Sequence, residues 1–169
     1  MSYSRGLNGV MVELMSLRNG PTLADFSFRV AVPGSSPTAW TTAPAPTMNW
    51  SPCGPGNSDR VVFVWPDGAI KNTWLQVTVL PTATTRLASA DVFYFGNLVG
   101  DTGDAPASGR ATVNVLDVMR ARAASLGSRA ASITNRYDFN RDGRVNVLDV
   151  VLLRMIRTSL VLQLITAPA

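Results

Sequence analysis

Apolar and polar positions along this chain follow two different rhythms. Over roughly the first 95 residues the period is two. Gly9–Leu17 alternates so that Val10, Val12 and Leu14 share one face, and Phe26–Val32, Arg60–Trp65, Thr73–Leu80 and Val92–Phe95 read the same way. A further short strand is expected near Met48–Trp50. Pro66-Asp67-Gly68 is a turn: Pro presets φ and Gly accepts a positive one. Pro33–Pro55, rich in Pro, Thr, Ser and Ala, reads as extended connections. Short strands at this spacing predict a small antiparallel β-sandwich over residues 1–95.

After about Gly96 the period lengthens. Val113–Ser125 and Val145–Ser159 carry helical spacing, through Val113, Leu116, Met119 and Arg120 in the first and Val145, Leu148, Leu152, Met155 and Ile156 in the second. Asp117 and Asp149 stand near the helix starts, and Arg154 and Arg157 come late, where each charge complements the helix dipole. Leu160–Ile165 closes the chain as a short apolar element, helix or strand. The expected fold class is therefore mixed, with α and β in separate domains: an antiparallel β-sandwich over 1–95, then a small all-α pair of loop-helix repeats over 96–169.

Composition narrows the chemistry. The chain has no His, one Cys (Cys53), one Lys, one Glu, ten Asp and fourteen Arg. Ser-His-Asp and Cys-His pairs, His-ligated metals and an internal disulfide are thereby excluded. A glycosidase would need two carboxylates across a cleft, and outside the repeats only Glu13, Asp25, Asp59 and Asp67 are available. Glu13 reads as an outward strand residue, so the chain is expected not to be an enzyme. The net charge of +4 invites a nucleic-acid reading. The basic residues are spread, however, six in the first ninety positions and nine beyond, mixed with Asp throughout, so no nucleic acid is expected. No apolar run approaches the ~20 residues of a membrane span, and the first residues do not form a signal peptide.

What remains is oxygen chemistry. VNVLDV occurs at Val113–Val118 and again at Val145–Val150, and Arg122 and Arg154 occupy matching places after it. Before the second copy, Asp138, Asn140 and Asp142 fall at positions 1, 3 and 5 of a twelve-residue calcium loop, with Gly143 at 6. The Arg144 carbonyl falls at 7, Asn146 at 9 and Asp149 at 12. Calcium is a hard cation that takes six to eight oxygens, and this spacing delivers them. Asp in place of Glu at position 12 requires a closer helix. The other reading is an Asx-turn with Asp149 facing solvent on a helix.

The first copy is irregular. Asp101 to Asp117 spans seventeen residues, five more than the standard loop. A second calcium cage there would use Asp101 and Asp104 at one end, a carbonyl near Thr112, and Asn114 and Asp117 at the other. A Gly/Ala/Ser loop with a capping Asp is the alternative.

At these residues the chain resembles the type I dockerin family, over roughly Asp91–Ile165. DVFYFGNLVGDTG and YDFNRDGRVN are also similar to the C-terminal tails of large secreted planctomycete proteins. The resemblance implies EF-hand-like calcium repeats, a calcium-dependent fold, an extracellular or cell-surface setting, and docking onto a cohesin module, commonly in polysaccharide-degrading assemblies. Two departures stand out: the first loop is expanded, and loop positions 10 and 11, often Ser-Thr in dockerins, are Val115-Leu116 and Val147-Leu148. Those pairs, flanked by Arg122 and Arg154, form a candidate partner surface presented twice, with Leu116 and Leu148 leaning to the core and Val115 and Val147 to the surface. The basic balance favours an acidic partner. Chelation is expected to loosen the region after about 96 and to leave the β half intact. A calcium-stabilised anchor of a larger secreted protein explains the same residues, with polysaccharide binding by Trp40 or Trp50 of the β half as an added possibility; Trp65 and Trp74 read as core.

Overall fold

Alternating residues become strands wherever one face can be buried. A computed structural model describes residues 3–15, 17, 19–31, 39–52, 56, 58–103, 109–126, 129–156 and 161–165. Val32, Cys53, Asp104 and Arg157, and parts of the Pro33–Pro55 connection and of Leu160–Ile165, lie outside them. Strands β1 (Gly9–Leu14), β5 (Asp59–Val64) and β4 (Thr47–Ser51) form one antiparallel sheet in the order β1-β5-β4. Strands β3 (Trp40–Thr42), β2 (Phe26–Ala31), β6 (Thr73–Val79) and β7 (Asp91–Asn97) form the other, in the order β3-β2-β6-β7. Strict alternation is clearest in β6, where Thr73, Leu75, Val77 and Val79 are buried and Trp74, Gln76 and Thr78 are not.

The two sheets meet over one core. Val10, Val12, Val61 and Phe63 come from the first, and Phe26, Leu75, Val77 and Val79 from the second. Phe63 lies edge-on to Phe26 at 4.7 Å and to Phe28 at 4.8 Å, which locks the sheets in register. Trp65 is 2% exposed and donates Nε1–H to the Pro44 carbonyl at 2.8 Å. Glu13 faces outward and pairs with Arg60, its cross-strand neighbour, at 2.7 Å.

The second core is smaller. It gathers Leu98, Val113, Ala121, Phe139, Leu153 and Leu162 beneath helices α1 (Val115–Ser125) and α2 (Val147–Met155), which pack on each other. The expected all-α composition of this half is corrected. Strand β8 (Arg110–Thr112) pairs antiparallel with β11 (Val161–Gln163), and β9 (Arg129–Ala130) with β10 (Arg144–Val145). The apolar closing segment is thus a strand, because Leu162 completes the core from the flank of β8. The two halves also touch. The Trp74 ring packs against the second core, and Ser4 N–H donates to the Phe139 carbonyl at 2.8 Å.

Both helices begin two residues later than periodicity suggests. Asn114 and Asn146 hold extended backbone, with φ of −135° and −145°, and act as N-caps. Their side chains accept from the Leu116 and Leu148 amides, each at 2.7 Å. Asp117 and Asp149, at the third helical position, accept back from the cap amides, completing two capping boxes. Each cap contributes about 1 kcal/mol. Leu116 and Leu148 are corrected as well: they are 48% and 55% exposed, since the inward stripes are held by Ala121 and by Val150 and Leu153.

Candidate calcium loop

The second loop runs from Asp138 to Asp149, from a turn into the first turn of α2. Its residues are fastened by short-range bonds that begin with the side chains named from the sequence. Asp138 Oδ2 accepts from Gly143 N–H at 3.1 Å, Asn140 Oδ1 from Asp142 N–H at 3.0 Å, and Asp142 Oδ1 from Arg144 N–H at 2.9 Å. Asn140 Nδ2 also donates to Asp142 Oδ2 at 2.9 Å. These Asx-type bonds wind the chain around the oxygens of positions 1, 3 and 5. Two residues sit at left-handed φ to allow it, Arg141 at 60° and Gly143 at 81°. Arg141 is steadied by a 2.6 Å bond from its Nη1 to the Asn135 carbonyl.

Asp149 does not face solvent. It is 0% exposed, and its two oxygens accept from Phe139 N–H at 2.7 Å and Asn146 N–H at 2.9 Å. The carboxylate therefore ties the start of the loop to the start of α2. The capping box brings the start of α2 close to the loop, the arrangement that the shorter Asp arm requires. Phe139, wholly buried in the second core, anchors the loop from beneath.

One atom of the loop is orphaned. Asp138 is 2% exposed, and its Oδ1 is buried without a hydrogen-bond partner. A buried carboxylate oxygen with nothing to accept from costs several kcal/mol unless a cation meets it. A hard divalent ion suits that oxygen, with the Asn140, Asp142 and Asp149 oxygens and the Arg144 carbonyl as its further donors. The donor set fits calcium. Among the described residues no three Asp, Glu, His or Cys side chains are drawn together closely enough to hold a metal by themselves. Asn146 is engaged as the helix cap.

The first loop is built differently. Asp101 Oδ1 accepts from Gly103 N–H at 2.9 Å in a tight local turn. Asp117 is 0% exposed and accepts from Thr102 N–H at 2.8 Å, from the Thr102 hydroxyl at 2.7 Å and from Asn114 N–H at 2.8 Å. Thr112 belongs to β8, opposite Val161. Arg136 Nη1 donates to the Thr102 carbonyl at 2.8 Å. Thr102, Phe139 and Arg136 were not singled out from the sequence. Aligning Asp101 with Asp138 exposes the first two, since Thr102 and Phe139 then share a place and donate to matching aspartates.

The candidate partner residues stand on one repeated surface. Val115 and Val147 are each 68% exposed, Leu116 and Leu148 accompany them, and Arg122 and Arg154 are exposed in the last helical turns. Met119, Val151 and Met155 extend the same apolar faces. In the β half, Trp40 lies against Tyr94 with ring centroids 5.8 Å apart, and Trp50 donates Nε1–H to Asp59 at 3.1 Å. Trp65 is core, and Trp74 is partly buried against the second core.

Residues 108–156 match the dockerin type I domain family. That stretch holds both helices and the whole second loop, while Asp101–Asp104 fall outside it. No curated protein and no solved structure matches the chain.

Proposed function

We propose that this chain is a calcium-dependent docking module that presents the exposed faces of α1 and α2 to a cohesin-type protein partner in an extracellular assembly. Residues 108–156 are dockerin type I-like, and dockerins are non-catalytic modules of calcium-dependent protein–protein docking. The observation that carries the calcium reading is the buried, partnerless Oδ1 of Asp138. Calcium in the second loop would supply the charge that this oxygen lacks and would tighten Asp138, Asn140, Asp142, the Arg144 carbonyl and Asp149 around one centre. The chain's own part is to set α2 against α1, because the loop and the helix share Asp149.

The partner reading rests on the repeated apolar face. Val115 and Leu116 with Met119, and Val147 and Leu148 with Val151, project from equivalent places on the two helices. Exposed aliphatic side chains at these matching places favour association, and the flanking Arg122 and Arg154 favour an acidic rim on the partner. Repetition of the surface would let the partner bind in either of two orientations. Among the described residues no helix is long and apolar enough to cross a membrane.

The test is calorimetric titration of the full chain with a type I cohesin module, in calcium and in chelator. Binding in calcium only is expected. The paired change Leu116→Ser with Leu148→Ser should weaken it at least tenfold, a loss of about 1.4 kcal/mol, while leaving calcium affinity unchanged. Equal binding with and without chelator would sink the calcium dependence, and unaltered binding by the paired variant would remove the helix faces from the interface.

A further inference from the structure

The two repeats share the VNVLDV run, but their loops differ in hydrogen bonding. We infer that the chain holds one calcium ion, in the second loop, and that the first loop is a metal-free copy closed by the Thr102 hydroxyl. The inference rests on the calcium reading of the second loop and adds the number and place of the ion.

A carboxylate offers about four lone-pair sites, two on each oxygen. Position 12 of a calcium loop contributes both oxygens of its carboxylate, so each needs one free lone pair. Asp149 meets this need: among the described residues, Oδ1 accepts only from Phe139 N–H and Oδ2 only from Asn146 N–H. Asp117 does not. Its Oδ1 accepts from both the amide and the hydroxyl of Thr102, at 2.8 and 2.7 Å, and Oδ2 from Asn114 N–H. The place filled by a hydroxyl donor in the first loop is filled in the second by Phe139, whose side chain has nothing to donate.

Two further features separate the loops. The acid at the start of the second loop is 2% exposed with an orphaned oxygen, whereas Asp101 is partly exposed and bonded to Gly103. A guanidinium also stands at the first loop. Arg136 Nη1 is 2.8 Å from the Thr102 carbonyl and 3.2 Å from where a Cβ on Gly103 would lie. Arg136 is exposed, so solvent screens its charge, but a guanidinium held at this carbonyl still opposes a divalent cation. Thr102 itself is 2% exposed, so bulk solvent competes little for the hydroxyl that donates to Asp117.

Native mass spectrometry and calorimetric titration of the chelator-stripped full chain with calcium test this. One ion per chain is expected. Asp149→Asn should abolish binding, Asp138→Asn should do the same while leaving the Asp149 bonds in place, and Asp101→Asn should leave the single ion bound. Circular dichroism identifies any variant that fails to fold, and the other position-1 or position-12 change then carries the result. Two ions on the unaltered chain would overturn the inference and leave the docking reading standing. One ion that survives Asp138→Asn but is lost with Asp101→Asn would overturn it too. An unaltered chain that binds none overturns both.

Discussion

The indole of Trp74 donates Nε1–H to the carbonyl of Gln163 at 2.8 Å, joining the middle of the sandwich sheet to the closing strand of the second core. The two residues are 89 positions apart. The ring also packs against Gly96, where a Cβ would come within 2.9 Å of it. Together with the Ser4–Phe139 bond, this contact connects the sandwich to the second core and the candidate calcium loop. Chelation is therefore expected to reach the β half, against the expectation from sequence that this half would stand apart. Tryptophan fluorescence should change on calcium removal, and Trp74→Phe should suppress most of that change. The lost hydrogen bond alone should lower stability by about 1 kcal/mol.

Gly96→Ala tests the same seam from below. Gly96 does not lie at positive φ, so the backbone accepts alanine, and the penalty comes from the indole. A lower melting temperature is expected for Gly96→Ala, with partial recovery in the double variant Gly96→Ala, Trp74→Phe. Equal destabilisation by Gly96→Ala in either background would mean the ring is not what opposes the methyl.

Asp138→Asn should change sign with calcium. In chelator it neutralises a buried oxygen that has no partner, so stability should hold or rise. In calcium it removes a charged ligand, so the stabilisation by metal should fall away. Thermal melts of both proteins in both conditions give the four values needed.

Gly100 and Gly143 separate two kinds of glycine requirement. Both lie at positive φ, 92° and 81°. A Cβ on Gly143 meets nothing within 4 Å, so Gly143→Ala should cost about 1 kcal/mol of backbone strain. A Cβ on Gly100 would fall 2.7 Å from Leu153 Cδ1 and 3.1 Å from Ile156 Cδ1. Gly100→Ala should therefore cost more, with an overpacking cost of about 1–3 kcal/mol added. Chemical denaturation of the two variants ranks them.

Acid should weaken the sandwich through Asp25. Burial pushes this carboxyl up, but the Thr22 amide at 2.8 Å, the Thr82 hydroxyl at 2.5 Å and the Thr22 hydroxyl at 3.3 Å together hold it below the ordinary value. A depressed folded value means the contribution is fully present above the unfolded value of about 3.9 and is lost as pH falls through the folded one. Asp25→Asn should flatten the decline of melting temperature below about pH 4. An unchanged acid limb would remove Asp25 as its source.

Much of this protein is determined locally and was legible as sequence. Period-two alternation fixes the inward faces of β1, β2, β5 and β6, because neighbouring side chains on a strand point to opposite sides. The DFNRDG run dictates its own Asx bonds and turn at Gly143, since donors and acceptors lie within five residues of one another. The two Asn-x-x-Asp boxes are likewise written in three-residue steps. Tertiary structure decided what depends on partners far along the chain. Leu116 and Leu148 face out because Ala121, Val150 and Leu153 turn the inward stripes of the helices to the core, a rotation that the loop and core contacts set and helical spacing alone does not. The repeats carry the same VNVLDV, yet Asp117 receives a hydroxyl from Thr102, fifteen residues back, and Asp149, among the described residues, receives only amides. Whether an aspartate keeps an oxygen free for a cation is set by which donor the folded chain brings to it, and a repeated motif does not contain that donor.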